Sequence, residues 1–518
     1  MTSEQEIFSL YDSYPDSLLD ICMDYLVANL NTITTLDPTS HWRKLKDDIT
    51  LPANLCEKFI QTYQKKNRVN DNIANLFRDP SRTRLNCVKL RNSRITEEGL
   101  RCFMVHRPYS VELVQCKYLS QESLDIINEY SDRLVSLKFG PLIYDLSQKA
   151  QEGHLSQKGY ITDAPNLRQL TIQCRRLPIS PLLLVKPLKN LTHLDLSDFT
   201  SDISTGALHE LKNLRSLSLH NIVYSKEIID WITTLQSLRH LDLSQPNEIL
   251  GTYNNPNKVL SSIVTSLPHL QSLDISGTNL AGSGAASVHA RCDIPGLVSR
   301  VNNPLEFLGL YGTHHGACKR HDIPAKVISG DANGEQILTA AVAYMERPAL
   351  LTYVLNDLYT LVRYENKAYV GRALTVVLDA MVKHVSNKDI QTSASASLLY
   401  IVKGREKARI GIKLKRRILS VLLDGMEAHL EDDIMMRNGC LTLCHYKLPD
   451  EVLFEYDRVI QILLNSVNLG GFAQHIAIYL LNSLPSQEDR KQERFSGNHG
   501  AIGGSGCEQR NRSSPEPA

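Results

Sequence analysis

One pattern recurs through the middle of the chain and constrains its fold more than any other feature. NLRQLTIQC from Asn166, NLTHLDLSD from Asn190, NLRSLSLHN from Asn213, SLRHLDLSQ from Ser237, HLQSLDISG from His269 and PLEFLGLYG from Pro304 each carry Leu-x-x-Leu-x-Leu or a close variant. The leading leucines are Leu167, Leu191, Leu214, Leu238, Leu270 and Leu305, in steps of 24, 23, 24, 32 and 35 residues. Leu85-x-x-Val88-x-Leu90 and Leu134-x-x-Leu137-x-Phe139 lie 49 residues apart, leaving room for one degenerate copy around Val111 and Leu113. Alternating leucines make a short strand with one buried face. A single such unit cannot bury that face, whereas stacked copies can, so the pattern predicts a leucine-rich solenoid with its strands along one wall. The two longer steps imply insertions, one of them NEILGTYNNPNK.

After about Ile328 the period becomes helical. LTVVLDAMVKHV, ILSVLLDGMEAHL and VIQILLNSVNLGG read as successive copies of one helix, with Leu378, Leu423 and Leu464 equivalent. Each is followed by a helix rich in small residues: QTSASASLLYIV, MMRNGCLTLCHY and FAQHIAIYLLNSL. A helical repeat of about 40 residues is armadillo- or HEAT-like. From Ser486 the chain is rich in Gly, Ser and charge, and is expected to be disordered. The expected fold class is α/β then all-α solenoid. An N-terminal helical box spans 12–65, leucine-rich repeats 80–325, incomplete armadillo-like repeats 330–485 and a disordered tail 486–518.

A net charge of +1 gives no global field for nucleic acid or membrane, and 6% aromatic residues with two tryptophans argue against base-stacking platforms. Eleven scattered cysteines read as reduced thiols, which suggests a cytoplasmic protein with the nucleus as a second setting. The N-terminus lacks the basic and apolar regions of a signal peptide. No phosphate loop, His-Glu-x-x-His helix or Gly-x-Ser-x-Gly elbow is present, so no enzyme and no cofactor are expected. AGSGAAS from Ala281 reads as a loop. His314, His315, Cys318 and His321 are too crowded for a zinc site, and no metal is expected. The basic run Lys403–Arg417 reads as a solvated face, with nuclear import or an acidic partner as the alternative. Asp195, Asp242 and Asp274 recur at one outward strand position. They could meet a basic peptide, but hydrogen bonding between adjacent turns is the preferred reading.

The N-terminal stretch SLLDICMDYLV, from Ser17 to Val27, is apolar on more than one side. Asp16 or Ser17 can cap its helix. Leu18, Cys22 and Leu26 then form one stripe, which Leu19, Met23 and Leu30 broaden. LPANL, from Leu51 to Leu55, opens a second amphipathic helix through Phe59 and Ile60, with proline suited to its first turn.

Ser17-Leu18…Cys22…Leu26 resembles an elongin-binding BC box, and Leu51-Pro52…Leu55 a cullin-2 box. Followed by leucine-rich and then armadillo-like repeats, the order from about 15 to 485 resembles the Zyg-eleven/Zer-one family of substrate receptors for cullin-2 ubiquitin ligases. The resemblance implies that Leu18, Cys22 and Leu26 dock on elongin C, itself bound to elongin B, and that Leu51, Pro52 and Leu55 meet cullin-2. It also implies that late armadillo repeats bind substrates with an N-terminal glycine through a tryptophan and polar or acidic groups. Neither Trp42 nor Trp231 falls in the helical repeats, so no degron-binding residue is assigned and the chain is expected to be C-terminally truncated relative to the family. Two other readings stand beside this one: an F-box-like adaptor for Skp1 and cullin-1, and a leucine-rich scaffold whose N-terminal helices are caps.

Overall fold

The computed structural model describes residues 17–39, 41–120, 122–140, 164–173, 188–199, 205–247, 249–284, 292–365, 367–404, 410–448 and 450–484. The expected tail over 486–518 lies outside them, as do residues 12–16 of the box, 285–287 of the glycine-rich loop and 405–409 of the basic run. The chain divides into two compact units, with the boundary between Leu358 and Tyr359.

In the first unit, helix α1 (Leu18–Ala28) leads through a small antiparallel pair, β1 (Thr34–Leu36) with β2 (Arg43–Leu45), to helix α2 (Ala53–Lys66). A ten-stranded parallel sheet then runs in strict chain order. Its strands are β3 (Cys87–Arg91), β4 (Ser110–Val114), β5 (Ser136–Gly140), β6 (Gln169–Ile172), β7 (His193–Asp195), β8 (Ser216–Ser218), β9 (His240–Asp242), β10 (Ser272–Asp274), β11 (Leu305–Gly309) and β12 (Ala325–Ser329). Helices α3 (Glu97–Met104), α4 (Glu122–Glu129), α5 (Lys226–Ile232) and α6 (Pro256–Ser266) lie in the connections.

The register follows the leucines. Leu194 pairs with Leu217, Leu217 with Leu241, Leu241 with Leu273 and Leu273 with Leu308. Every one of them is buried. The degenerate copy is β4, where Val111 pairs with Val88 and Leu137, and Leu113 with Leu90 and Phe139. Asparagines one place before the leading leucines tie each turn to the last: Asn166 Nδ2 donates to the Asp132 carbonyl at 2.6 Å and Asn190 Nδ2 to Pro165 at 3.1 Å. Where that position becomes Ser237, His269 and Pro304, a buried arginine takes over nearby. Arg300 donates to the carbonyls of Val264, Leu267, Pro268 and Leu270.

The stretch HHGACKRH, from His314 to His321, is followed by a further strand of the sheet. It lies between β11 and a tenth strand, β12, in which Ile328 pairs with Leu308. Helices α7 (Gly334–Ala343) and α8 (Pro348–Thr360) follow. Their helical period suggested the start of the armadillo-like array at 330. They nonetheless belong chiefly to the first unit, because the Tyr344 and Arg347 side chains between them are built into the strand face, as described below.

Among the described residues, the second unit contains three helical pairs: α9 (Val370–Lys383) with α10 (Lys388–Lys403), α11 (Ile412–Ala428) with α12 (Asp433–Leu443), and α13 (Tyr456–Leu469) with α14 (Gly471–Asn482). Small residues permit close approach within it. A Cβ on Gly425 would stand 2.5 Å from Gln391 Oε1, and one on Gly439 2.4 Å from Met426 Sδ. Ion pairs bridge successive copies: Arg417 with Asp379 at 2.7 Å, Lys388 with Asp432 at 2.7 Å, and Arg458 with Asp424 at 2.5 Å and Glu427 at 2.7 Å.

Candidate partner-binding sites

Helix α1 begins where its sequence allows. Ser17 is the N-cap: its Oγ accepts the Asp20 N–H at 3.1 Å and donates to Asp20 Oδ2 at 2.6 Å. Asp20 also pairs with Lys58 of α2 at 2.5 Å, and these two hydrogen bonds, Lys58 first, hold its carboxyl below the ordinary range. Met23 and Val27 are buried and join the core with Cys56, Phe59 and Ile60 of α2. Met23 therefore does not broaden the free apolar stripe as the sequence suggested; its i, i+4 spacing to Val27 makes it part of the inner face.

The opposite face of α1 is uncovered. Leu18 is 77% exposed, Ile21 54% and Tyr25 60%; Cys22 is exposed and Leu26 half-buried. Leu18, Cys22 and Leu26 thus lie on one helix, with Leu26 reaching the core edge. Ile21 and Tyr25 complete the stripe at i+3 and i+7. Sequence reasoning passed over both, although their spacing from Leu18 was the available signal.

The second cluster sits where α2 begins. Pro52 is exposed and occupies the N-cap position, one place before the helix rather than in its first turn. Leu51 and Leu55 are half-buried and pack against the core. The Leu51 N–H donates to the Arg82 carbonyl at 2.8 Å, and Cys56 Sγ donates back to the Leu51 carbonyl at 3.3 Å. The Arg82 guanidinium donates to the carbonyls of Leu45, Lys46 and Ile49, which pins the loop leading into this corner. Burial pushes the Cys56 thiol up to about 11, leaving it unreactive at neutral pH.

The aspartate row is not open to a ligand. Each carboxylate first folds back on the serine two places on: Asp195 Oδ1 accepts from Ser197 Oγ at 2.6 Å, and Asp242 Oδ1 from Ser244 Oγ at 2.7 Å. Asp274 Oδ1 accepts the Ser276 N–H at 3.0 Å. Ser218 links adjacent turns, with Oγ 2.9 Å from both Ser197 Oγ and Asp242 Oδ2. Arg347, reaching in from the turn between α7 and α8, pairs with Asp242 and lies 3.1 Å from Asp274 Oδ2 and 2.9 Å from Ser244 Oγ. The Tyr344 hydroxyl lies 2.6 Å from Ser276 Oγ and 2.7 Å from Ser329 Oγ. Only 13% of the Asp242 side chain and 8% of the Asp274 side chain remain exposed.

The electrostatics follow from this packing. Burial pushes Asp195 up, and burial together with Asp242 pushes Asp274 up. Burial also acts against ionised Asp242, but Arg347 and His220 outweigh it and hold its pKa down. Hydrogen bonds between adjacent turns, the reading preferred from the sequence, thus run along part of this row, and the cation that a basic peptide could have offered is supplied by the chain's own Arg347. Trp231 is likewise internal: it is fully buried, and its Nε1 donates to the Leu208 carbonyl at 3.0 Å. Among the described residues, no group of three or more His, Cys, Asp or Glu side chains is placed to hold a metal ion. No helix there is long and apolar enough to cross a membrane.

Comparison with known proteins gives a consistent set. Residues 182–313 match the family model described as Zer-1-like, leucine-rich repeats, and residues 379–504 match one described as protein zer-1 homolog-like, C-terminal domain. Protein zer-1 homolog of Drosophila melanogaster is 42% identical over 515 residues, covering 95% of this chain and 64% of that protein. Its Homo sapiens counterpart is 30% identical over 528 residues, covering 94% of this chain and 68% of the relative. Zyg eleven-related protein 1 of Caenorhabditis elegans is 37% identical over 333 residues. The chain therefore spans about two thirds of the length of the zer-1 homologues it matches.

Proposed function

The chain belongs to the Zyg-11/Zer-1 family, and from that membership we propose that it is a non-catalytic substrate-recognition adaptor that docks on elongin C, with elongin B, and on cullin-2. The observation that carries the reading is the uncovered stripe of α1. A helix capped, ion-paired and packed through Met23 and Val27 still presents Leu18, Ile21, Cys22 and Tyr25 to solvent. A few apolar anchors on a rigid support are the usual centre of a protein interface. Small Cys22 amid larger neighbours leaves room for a partner side chain, and Pro52, Leu51 and Leu55 would supply the adjoining cullin-2 contact. A cytoplasmic setting, with the nucleus as a second, belongs to the same proposal.

The test is co-purification of the full chain with elongins B and C and cullin-2. Leu18→Arg should abolish capture of elongin C while the thermal melt stays unchanged, since Leu18 contributes nothing to the core. Truncating an interface hot spot costs about 2–4 kcal/mol, enough to lose the complex at micromolar concentration. Pro52→Arg should retain elongin C and lose cullin-2. Full elongin C capture by the Leu18 variant, or capture of Skp1 in its place, would overturn the reading. Recognition of N-terminal glycine has a separate readout: saturable binding of a labelled peptide with a free glycine amine, lost on N-acetylation.

A further inference from the structure

With Asp242 and Asp274 neutralised from within, the strand face shows solvent a charge of the other sign. Arg168 immediately precedes β6, His193 opens β7, Arg215 precedes β8, and Arg239 precedes β9, which opens with His240. Gln169 pairs with His193, His193 with Ser216, and Ser216 with His240. The three arginines and two histidines therefore sit on four neighbouring strands, stepping at about 4.8 Å. All five side chains are exposed.

Three arginines elsewhere in the same unit are matched, Arg91 with Glu112 at 2.6 Å, Arg101 with Glu129 at 2.8 Å, and Arg107 with Asp132 at 2.9 Å. Arg168, Arg215 and Arg239 belong to no ion pair among the described residues. An acidic residue farther along, Glu306 in β11, is held by Lys326 at 2.7 Å. Burial lowers the pKa of His193 and of His240; the charges of His240 and Arg215 add to the effect on His193, and that of Arg239 to the effect on His240, as expected where positive charge lacks a counter-ion.

We propose that Arg168, His193, Arg215, Arg239 and His240 form a docking strip for an acidic, extended peptide segment of a partner protein. Three strand steps cover roughly 14 Å, the length of about four residues of extended chain. A peptide crossing the strands with Asp or Glu at most positions would meet an arginine at β6, β8 and β9 and an imidazole at β7, and the arginine forks suit carboxylates. The strip holds no Phe, Tyr or Trp on which a nucleic-acid base could stack. If the chain is an adaptor, the strip is its substrate-facing surface, but the proposal stands without any elongin contact.

The test is fluorescence anisotropy of the full chain, without elongins, with a labelled peptide of alternating Glu and Asp, a Gln/Asn peptide of equal length, and an oligothymidine. The acidic peptide should bind saturably, more weakly as salt rises, and the neutral peptide should not bind. Arg215→Glu/Arg239→Glu should lose at least about tenfold in affinity and Arg215→Gln/Arg239→Gln a smaller, measurable factor, each with an unchanged melt. Lys226→Glu/Lys258→Glu, the same charge change at exposed positions on α5 and α6, should bind as the parent does. No binding, equal loss in both charge-reversed variants, or displacement of the peptide by oligothymidine would overturn the proposal.

Discussion

The two units stack repeats by different physics. In the first, neighbouring copies share a parallel backbone ladder, so each strand is locked to the next in a single register. The outward positions then line up, and a polar network extends from Asp195 through Ser197, Ser218 and Asp242 to Arg347 and Asp274. In the second unit neighbours are helices whose backbones are satisfied internally. Side-chain fit and solvent-facing ion pairs such as Arg458 with Glu427 join them. A ladder makes long-range polar networks possible because it repeats its geometry; helix packing makes each junction an individual case.

Charge removal should separate the two most strongly. Arg347→Met leaves Asp242 and Asp274 buried without their cation, and breaking a buried pair from one side costs about 3–5 kcal/mol. Arg458→Met, whose partners Asp424 and Glu427 are 51% and 44% exposed, should cost about 1 kcal/mol or less. Trp42 and Trp231, the only two tryptophans, both lie in the first unit, so denaturant titration followed by their fluorescence isolates it. Circular dichroism reads the helices of both units. Equal losses for the two variants would break the comparison. Recovery of stability when Asp242→Asn and Asp274→Asn are added to Arg347→Met would sharpen it, by tracing the cost to the stranded carboxylates.

A smaller contrast comes from glycine. A Cβ on Gly309 would stand 2.0 Å from Asp274 Oδ1, an oxygen fixed by the Ser276 N–H. Gly309→Ala should therefore cost about 1–3 kcal/mol, as overpacking does. A Cβ on Gly439 meets the sulfur of Met426, which can turn away. Helix propensity returns about 1 kcal/mol for alanine, so Gly439→Ala should fall within about 1 kcal/mol of neutral. The same melts decide both. A severe loss at Gly439 would mean that the helical junctions are as rigid as the ladder.

These differences also govern what could be read from the sequence. Leu191, Leu214 and Leu238 announced the sheet because a ladder forces equal spacing, and even degenerate Val111 and Leu113 found their place. Strand β12 escaped notice because Ala325–Ser329 contains no leucine and is recognised only by its pairing with β11. Helices α7 and α8 look like their armadillo-like successors, since helical period says nothing about which unit a helix joins. The deciding residues, Tyr344 and Arg347, act on Ser276 and Asp242 at sequence separations of 68 and 105, beyond any local pattern. In the N-terminal helices the exposed Leu18 and Cys22 were legible from spacing. The inward turn of Met23 depended on α2 and on Phe59, which lies far along the chain.

The mildest prediction concerns protons in the polar network. His220 is buried, with Nδ1 2.8 Å from Ser244 Oγ; burial first, and Arg347 second, lower its pKa. The neighbouring carboxylates Asp242 and Asp198 act in the opposite direction without prevailing. The unfolded chain binds a proton at the ordinary histidine pKa of about 6.5, while the folded chain resists it. The stability from this group is thus complete above that value and falls as pH drops through it toward the lowered folded pKa. His106, His193 and His240 are lowered as well, so the first unit should lose stability stepwise on acidification from pH about 7 to 5. His220→Asn keeps a short polar side chain facing Ser244 and removes one titration. The slope of tryptophan-detected stability against pH over that window should become shallower without vanishing, because the other three histidines remain. An unchanged slope would mean that His220 takes its proton as readily in the fold as outside it, and that Arg347 does not set the potential at the centre of the network.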